Sequence, residues 1–304
     1  MSSKALNRQM DRIAASEASG RSQRRIKSRT LRKILANKRS VVGLFIFAII
    51  VFICVAAPLF TPHSATKIDL ANLLKPPSAD HMFGTDQIGR DIWARILYGG
   101  RISIFVGLGS ALGATIVGVS LGTIAGYKGG LFDGIVMKIS EMLVSFPQII
   151  LVLILVTITG QSLWNLLAIF IATGWSSVYR MTRTQMLSIR EEEYVQALKA
   201  FGISDFRVAF KHMLPNAIGP IFVNITLSTA MFILQEASLS FLGLGVPLEI
   251  STWGNILNAA QDITILKSAW WVWLFVGIVI TLFVLSINFI GDGLRDAADP
   301  TQIG

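Results

Sequence analysis

Charged residues and cysteine are scarce in this sequence of 304 residues. Asp, Glu, Lys and Arg make up only 15% of it, whereas soluble domains contain about 25%, and hydrophobic residues make up 53%. Cys54 is the only cysteine, which excludes an intrachain disulfide and a zinc site built from several cysteines. This composition favours a protein embedded largely in lipid.

Sequence motifs for ATP hydrolysis and zinc catalysis are also missing. The sequence contains neither a Gly-x-x-x-x-Gly-Lys-Ser/Thr phosphate loop nor a His-Glu-x-x-His pair. The three histidines, His63, His81 and His212, are scattered along the chain. We therefore predict no enzyme activity, no metal site and no bound cofactor; ATP chemistry would have to come from a partner.

Hydrophobic runs of a length suited to a bilayer occur six times. A hydrocarbon core of about 30 Å requires about 20 apolar residues in a helix. The first run follows about 40 polar residues and is too long for a cleaved signal peptide, so it is expected to remain as a span. The sequence thus predicts an all-α integral membrane protein with six transmembrane helices, at about 41–60, 102–126, 143–159, 164–178, 218–244 and 269–290.

The basic residues predict the orientation of these spans. Twelve of the 27 Lys and Arg residues precede residue 40. If both termini are cytoplasmic, the inner segments hold 21 basic residues and the outer ones 6, as the positive-inside rule requires. Contact of the tail with an acidic partner is the less favoured alternative. We predict a basic cytoplasmic tail, a first span, an extracytoplasmic segment, a five-helix membrane core and a cytoplasmic tail, at 1–40, 41–60, 61–101, 102–292 and 293–304.

The predicted cytoplasmic loop, residues 180–215, is amphipathic. Its first helix would end at Gly202 and its second would begin near Ser204 and Asp205. Three interpretations stay open: the apolar side packs on the protein's own spans, lies in lipid headgroups, or docks in a groove of a soluble subunit. The apolar side chains at helical spacing are Tyr194, Ala197, Leu198 and Phe201, then Phe206, Ala209, Phe210 and Met213.

This loop resembles the Glu-Ala-Ala loop of binding-protein-dependent ABC importer permeases. The matching residues are Gln196-Ala197-Leu198-Lys199-Ala200-Phe201-Gly202 and the later Leu214-Pro215. Gln196 stands at the family's glutamate position and Leu198 at its second alanine. Gln196 can form a hydrogen bond but no charge pair, and the nearby charge would come from Glu191, Glu192 and Glu193.

Three further segments are similar to the dipeptide, oligopeptide and nickel permeases, and to their C-type subunit in particular. The similarity runs from about residue 40 to the end of the chain. The segments are Phe83-Gly84-Thr85-Asp86 with Gly89-Arg90-Asp91, Arg95, Tyr98-Gly99 and Arg101; 236–245 (EASLSFLGLG) with Thr252-Trp253-Gly254; and 291–296 (GDGLRD) with Asp299-Pro300.

The resemblance implies a type I ABC importer permease in a bacterial or archaeal plasma membrane, which forms half of a pathway for di- or oligopeptides. Nickel or another small chelate is the alternative cargo. It implies a second permease, two ATPase subunits that bind ATP and Mg²⁺, an extracytoplasmic binding protein and lipid as partners, and no nucleic acid. The expected ATPase-coupling residues are Glu193, Tyr194, Gln196, Ala197, Leu198, Phe201, Gly202, Asp205, Phe206, Leu214 and Pro215.

Two other sites allow alternative interpretations. Glu236 is the one acidic residue in a predicted span; we favour a hydrogen-bonded structural role over a pathway or gate role. Arg90 and Asp91, near Asp86 and Arg95, predict a local salt-bridge cluster, with contact to a docking binding protein as the alternative. A self-sufficient secondary transporter would need more intramembrane ionisable groups than Glu236.

Overall fold

Helices form most of residues 37–298, the part of the chain that the computed structural model describes. Asn37 caps the first of them by accepting hydrogen bonds from the backbone N–H groups of Arg39 and Ser40. The α-helices in this part are α1 Lys38–Val55, α2 Ala57–Phe60, α3 Ile92–Lys128, α4 Gly130–Val144, α5 Gln148–Thr159, α6 Leu163–Arg190, α7 Glu193–Ala200, α8 Asp205–Arg207, α9 Ile218–Phe241, α10 Trp253–Leu257, α11 Ile263–Ser268 and α12 Trp271–Ala298.

Four helical segments are long and apolar enough to cross a membrane: α1, α3, the continuous segment that ends with α9, and α12. The pair α4 and α5, bent by 90°, would make a fifth. The predicted fourth span, 164–178, lies in the first part of α6, which continues to Arg190 with a more polar sequence. The all-helical membrane fold is confirmed, and the count of six spans is approximate.

The helices at the second and third predicted spans have other bounds than the apolar runs themselves. Helix α3 begins at Ile92, ten residues before the predicted start, because the Asp91 carboxylate accepts a hydrogen bond from the Ala94 N–H at 2.7 Å. Its 37 residues extend about 55 Å, beyond the hydrocarbon core. The third run breaks before Gln148 because Pro147 restricts the residue before it and lacks an N–H. Helix α5 is then only about 18 Å long.

A strip of glycines brings α3 against α6. Added Cβ atoms at Gly118, Gly122 and Gly126 would lie 2.6–2.8 Å from the Cβ atoms of Val178, Thr182 and Met186 respectively. Real side chains do not fit at such distances, so the two backbones can approach this closely only because these positions carry no Cβ. The strip is therefore a helix-packing surface.

The other long helices form a second layer of contacts. Helix α1 packs on α12, where the Ser40 hydroxyl donates to the Phe289 carbonyl at 3.1 Å. Helix α9 contacts both α3 and α12, and Trp253 of α10 is fully buried among them. Large apolar side chains remain exposed on the outer faces, among them Phe45, Phe52 and Ile116. Such faces suit lipid or another membrane subunit.

Candidate coupling surface and outer polar cluster

Helix α7 ends where the sequence predicts, at Gly202. The Gly202 N–H donates to the Lys199 carbonyl at 2.9 Å, and the Ile203 N–H donates to the Leu198 carbonyl at 3.2 Å. This pair of bonds is a Schellman motif, which requires a left-handed residue, and Gly202 has φ +71°. The glycine thus reverses the chain between α7 and α8 without the steric cost of a Cβ atom.

The predicted apolar side of the loop is in fact divided into two faces. The inner face packs on the protein's own helices: Val195, Ala209 and Met213 are buried with Tyr127 of α3 and Met186 of α6. Leu198 and Phe210 are partly buried against the same cluster. Packing on the chain's own helices therefore describes this half of the loop.

The outer face consists of Tyr194, Ala197, Phe201 and Phe206, and we call it the coupling surface. The side chains of Phe201 and Phe206 are 83% and 73% exposed, and Tyr194 is 40% exposed; Ala197 is exposed as well. Phenylalanine side chains are seldom this exposed when the helices that carry them are well packed. The inner cluster anchors the loop and leaves these rings free to contact another surface.

Tyr127, which the sequence analysis missed, ties the loop to α3. Its hydroxyl donates to the Asp205 carboxylate at 2.6 Å, and the Lys199 ammonium lies 5.2 Å from the centre of its ring. Asp205 therefore holds α8 to α3. Ser204 occupies the cap position, but its side chain makes no capping hydrogen bond.

Three other predicted coupling residues have different settings. Gln196 donates from its side-chain amide to the Arg190 carbonyl at 3.1 Å, and Glu193 is exposed in the first turn of α7. A proline at position 215 favours the end of a helix there. Instead the chain stays helical, through a π-helix at Val208–Met213 and a 3-10 turn at Leu214–Ala217, which accommodate the proline's missing N–H before α9.

Glu236 lies inside the helix bundle and is fully buried. Its two carboxylate oxygens accept hydrogen bonds from the hydroxyls of Ser103, at 3.1 Å, and Ser240, at 2.8 Å. The Ser103 hydroxyl oxygen in turn accepts a hydrogen bond from the backbone N–H of Trp253 at 3.1 Å. The side chain thus links α9, α3 and α10, an arrangement that favours the structural interpretation over the gate.

We predict that Glu236→Gln keeps at least half of the wild-type transport rate, because an amide can still accept from one serine and donate to the other. Glu236→Ala should instead lower the thermal midpoint, since it leaves two buried hydroxyls without their partner. Transport and thermal unfolding are measured side by side on the same preparations. A tenfold loss of transport in a stable Glu236→Gln protein would identify a gate or ion-coupling residue instead.

Asp86 forms the predicted outer salt-bridge cluster with two arginines. Its carboxylate accepts from Arg90 Nε at 2.7 Å and from Arg95 Nη1 at 2.6 Å. Asp86 and Arg95 are 0% and 1% exposed, so this pair lies within the fold. The Arg90 side chain is 14% exposed, and its contact with a binding protein remains a prediction.

Asp91 is turned inward and is 4% exposed, and its contact with a docking protein remains a prediction. One of its oxygens caps α3, and the other lies 2.8 Å from His81 Nδ1. The ring of His63 stacks beside that of His81, with 4.8 Å between the ring centres. These two histidines, although far apart along the chain, are neighbours in space because the loop after α2 folds back on itself.

Two family models match the chain. Residues 118–303 match the binding-protein-dependent transport system inner membrane component, and residues 28–77 match the N-terminal transmembrane domain of oligopeptide transport permease C.

Curated relatives match over most of their length. The dipeptide transport system permease protein DppC of Bacillus subtilis is 42% identical over 88% of this chain and 84% of its own. The oligopeptide transport system permease protein OppC of the same organism is 39% identical over 87% and 86%. A putative peptide permease protein of Brucella suis is 40% identical over 90% of each chain.

These matches cover both the long-helix core and the N-terminal span, and they agree with the Glu-Ala-Ala-like loop that the structure places beside α3. The chain belongs to the inner membrane components of binding-protein-dependent ABC importers, as a peptide permease of the C type.

Proposed function

We propose that this chain forms half of the translocation pathway of an ATP-driven importer and takes its driving motion through the coupling surface. The other half of the pathway is a second permease subunit. Two ATPase subunits bind ATP and Mg²⁺ and alternate between an open and a closed arrangement, and an extracytoplasmic binding protein delivers cargo. The chain itself is a non-catalytic subunit with both termini in the cytoplasm.

The exposure of Phe201 and Phe206 is the observation that supports this proposal best. Burying a phenylalanine side chain is worth about 1.5–3 kcal/mol relative to leaving it exposed. The inner cluster around Met213 and Val195 holds both rings on a fixed base. A groove on a soluble ATPase subunit would cover them in the helix-in-groove mode, whereas lipid headgroups would give no directional motion.

The contacts of Tyr127 supply a route from this surface to the membrane helices. A displacement of α7 and α8 acts on α3 through the Tyr127–Asp205 hydrogen bond. Helix α3 is packed backbone to backbone on α6 along the glycine strip, so the two move as one body. Two arrangements of this body relative to the second permease, selected by open and closed ATPases, would give alternating access.

Peptides are the cargo that we propose, since the relatives described above are named dipeptide and oligopeptide permeases. Nickel or another small chelate is the second candidate, because the resemblance extends to nickel permeases. A self-sufficient secondary transporter is less favoured, since Glu236, the one acidic residue in the spans predicted from the sequence, is engaged by two serines.

Uptake by reconstituted vesicles tests the proposal. The permease pair and the ATPases are reconstituted in liposomes with ATP inside, and the binding protein is supplied outside with labelled dipeptide or labelled nickel. We expect ATP-dependent accumulation of dipeptide that disappears when the ATPases are omitted. Accumulation of nickel alone would select the second cargo, and uptake by this chain in the absence of ATP and partners would contradict the proposal.

Cross-linking tests the coupling surface separately. Cys54 is the only cysteine in the sequence and is buried. A cysteine introduced at position 201 therefore gives this chain one well-exposed thiol. A thiol-to-amine cross-linker should join Phe201→Cys to an ATPase subunit in native membranes, whereas Glu249→Cys, at an exposed position between α9 and α10, should not. Products confined to lipid or to the chain itself would contradict the docking role.

A further inference from the structure

The cluster of His63, His81 and Asp91 lies at the end of α3 opposite the coupling surface. One ligand atom can be chosen from each side chain so that all three lie within 4.8 Å of one another. His63 is three residues past the end of α2, and Asp91 caps α3. The cluster therefore joins the end of the first span to the start of the second.

The hydrogen bonds of each ring determine which nitrogen is free. His63 Nε2 lies 2.8 Å from the Asp80 backbone carbonyl, which can only accept, so Nε2 carries the hydrogen and Nδ1 keeps its lone pair. His81 Nδ1 lies 2.8 Å from an Asp91 carboxylate oxygen. It donates to that oxygen, which leaves the lone pair on Nε2. Each neutral ring thus has one nitrogen free to bind a cation.

Asp91 supplies the feature that distinguishes a ligand site from two neighbouring histidines. Ligating histidines usually donate their second N–H to a carboxylate, which orients the ring and makes the other nitrogen a better ligand. Asp91 is 4% exposed, and its other oxygen is held by the Ala94 N–H. The carboxylate is therefore positioned before any ion arrives.

A cavity of about 380 Å³ gives access to the cluster. Its wall contains three acidic residues, Asp69, Asp80 and Asp91, and two basic residues, Lys67 and Lys75. The formal sum is negative, and Lys75 donates to the Asn72 side chain at 2.5 Å. Asp69 accepts from Asn72 and from the Ala71 N–H, which lowers its pKa and keeps it ionised.

We propose that His63 and His81 bind a divalent transition-metal ion of the zinc class, with Asp91 neutralising its charge and orienting His81. Imidazole nitrogens suit zinc and its neighbours, whereas calcium and magnesium prefer oxygen ligands. A tetrahedral zinc ion places its ligands about 3.3 Å apart, so the half-buried His63 ring needs to move closer to the His81 ring when the ion binds. The ion fastens the end of the first span to α3, whatever cargo the transporter carries.

Zinc binding by the purified full-length permease, prepared with a tag that contains no histidine, tests this site. The zinc content is measured after dialysis, and the affinity by competition with a chromophoric chelator. We expect one zinc ion per chain and at least a tenfold loss of affinity in His63→Ala and in His81→Ala. His212→Ala is the matched control, since it removes the third histidine on the opposite side, and should change the affinity less than twofold.

Two conservative variants separate ligand loss from misfolding. His63→Gln retains a donor for the Asp80 carbonyl and should still lose zinc. Asp91→Asn retains a cap for α3 and should weaken zinc binding about tenfold or more, as losses of orienting carboxylates do. Zinc should also raise the thermal midpoint of the wild type but not of His63→Gln. Wild-type affinity that survives in His63→Gln and His81→Ala, or zinc content no higher in the wild type than in these variants, would overturn the site.

Discussion

Replacing Ala197 with Asp is expected to lower ATP-driven dipeptide uptake at least tenfold while the permease still inserts and folds. Ala197 lies in the exposed coupling surface beside Phe201. A carboxylate there would be buried against the ATPase without a partner, and an unpaired buried charge costs several kcal/mol. The fold itself is spared, because Ala197 points away from the inner cluster around Met213.

The measurement compares uptake, ATPase activity and co-purification of the ATPase subunits in the same membranes. Ser188→Asp is the matched control, since Ser188 is exposed in the same predicted cytoplasmic loop but outside the coupling surface. It receives the same charge outside the coupling surface and should keep wild-type uptake within about twofold. The double variant Phe201→Ala, Phe206→Ala should weaken ATPase binding by the loss of two buried rings.

Normal uptake by Ala197→Asp membranes would contradict the coupling role of this surface. Equal losses in Ala197→Asp and Ser188→Asp would show that added charge on this loop, rather than docking at α7, is the cause. Release of the ATPases together with lost uptake is the result that the exposed rings predict.

Replacing Asp86 with Ala is expected to lower the free energy of unfolding by about 3–5 kcal/mol, the cost of leaving a buried charge without its partner. Arg95 is 1% exposed, so water cannot take the place of the carboxylate. The same change removes the acceptor for the backbone N–H groups of Ile88 and Arg90. The loop before α3 therefore loses both its ion pair and its turn.

Thermal and denaturant unfolding of the purified permease measure this loss. Glu249→Ala, which removes an exposed carboxylate between α9 and α10, is the control and should change the stability by less than about 0.5 kcal/mol. The double variant Asp86→Ala, Arg95→Met should recover part of the loss, because it removes the unpaired charge and keeps the side-chain volume. No difference between Asp86→Ala and the double variant would show that Arg95 is solvated in solution.

The membrane class, the family and the end of α7 could all be predicted from the sequence, because each depends on local information. Long apolar runs are sufficient to identify a membrane protein. The Leu198–Gly202 stretch contains the glycine that ends its own helix. The Glu-Ala-Ala-like loop with its later Leu-Pro is a linear motif. The glycine strip on α3 likewise follows from a spacing of four residues.

The start of α3 and the break before α5 show where local patterns mislead. Hydropathy marks only the part of a helix that is apolar. The first ten residues of α3, which follow its Asp91 cap and begin at Ile92, therefore fall outside the predicted span. Apolar residues continue across Pro147, although the backbone turns by 90° there. Hydropathy measures the side chains, and the helix bounds depend on backbone hydrogen bonds.

By itself, the amino-acid sequence determined that this protein is an α-helical membrane permease with an amphipathic loop at residues 180–215. Only the tertiary structure decided which half of that loop is buried and which is exposed, that Tyr127 holds Asp205, and that His63 meets His81 and Asp91. The reason is physical: each of these facts is a contact between residues that are 10 or more positions apart, and a periodicity within one segment carries no information about the surface that will face it.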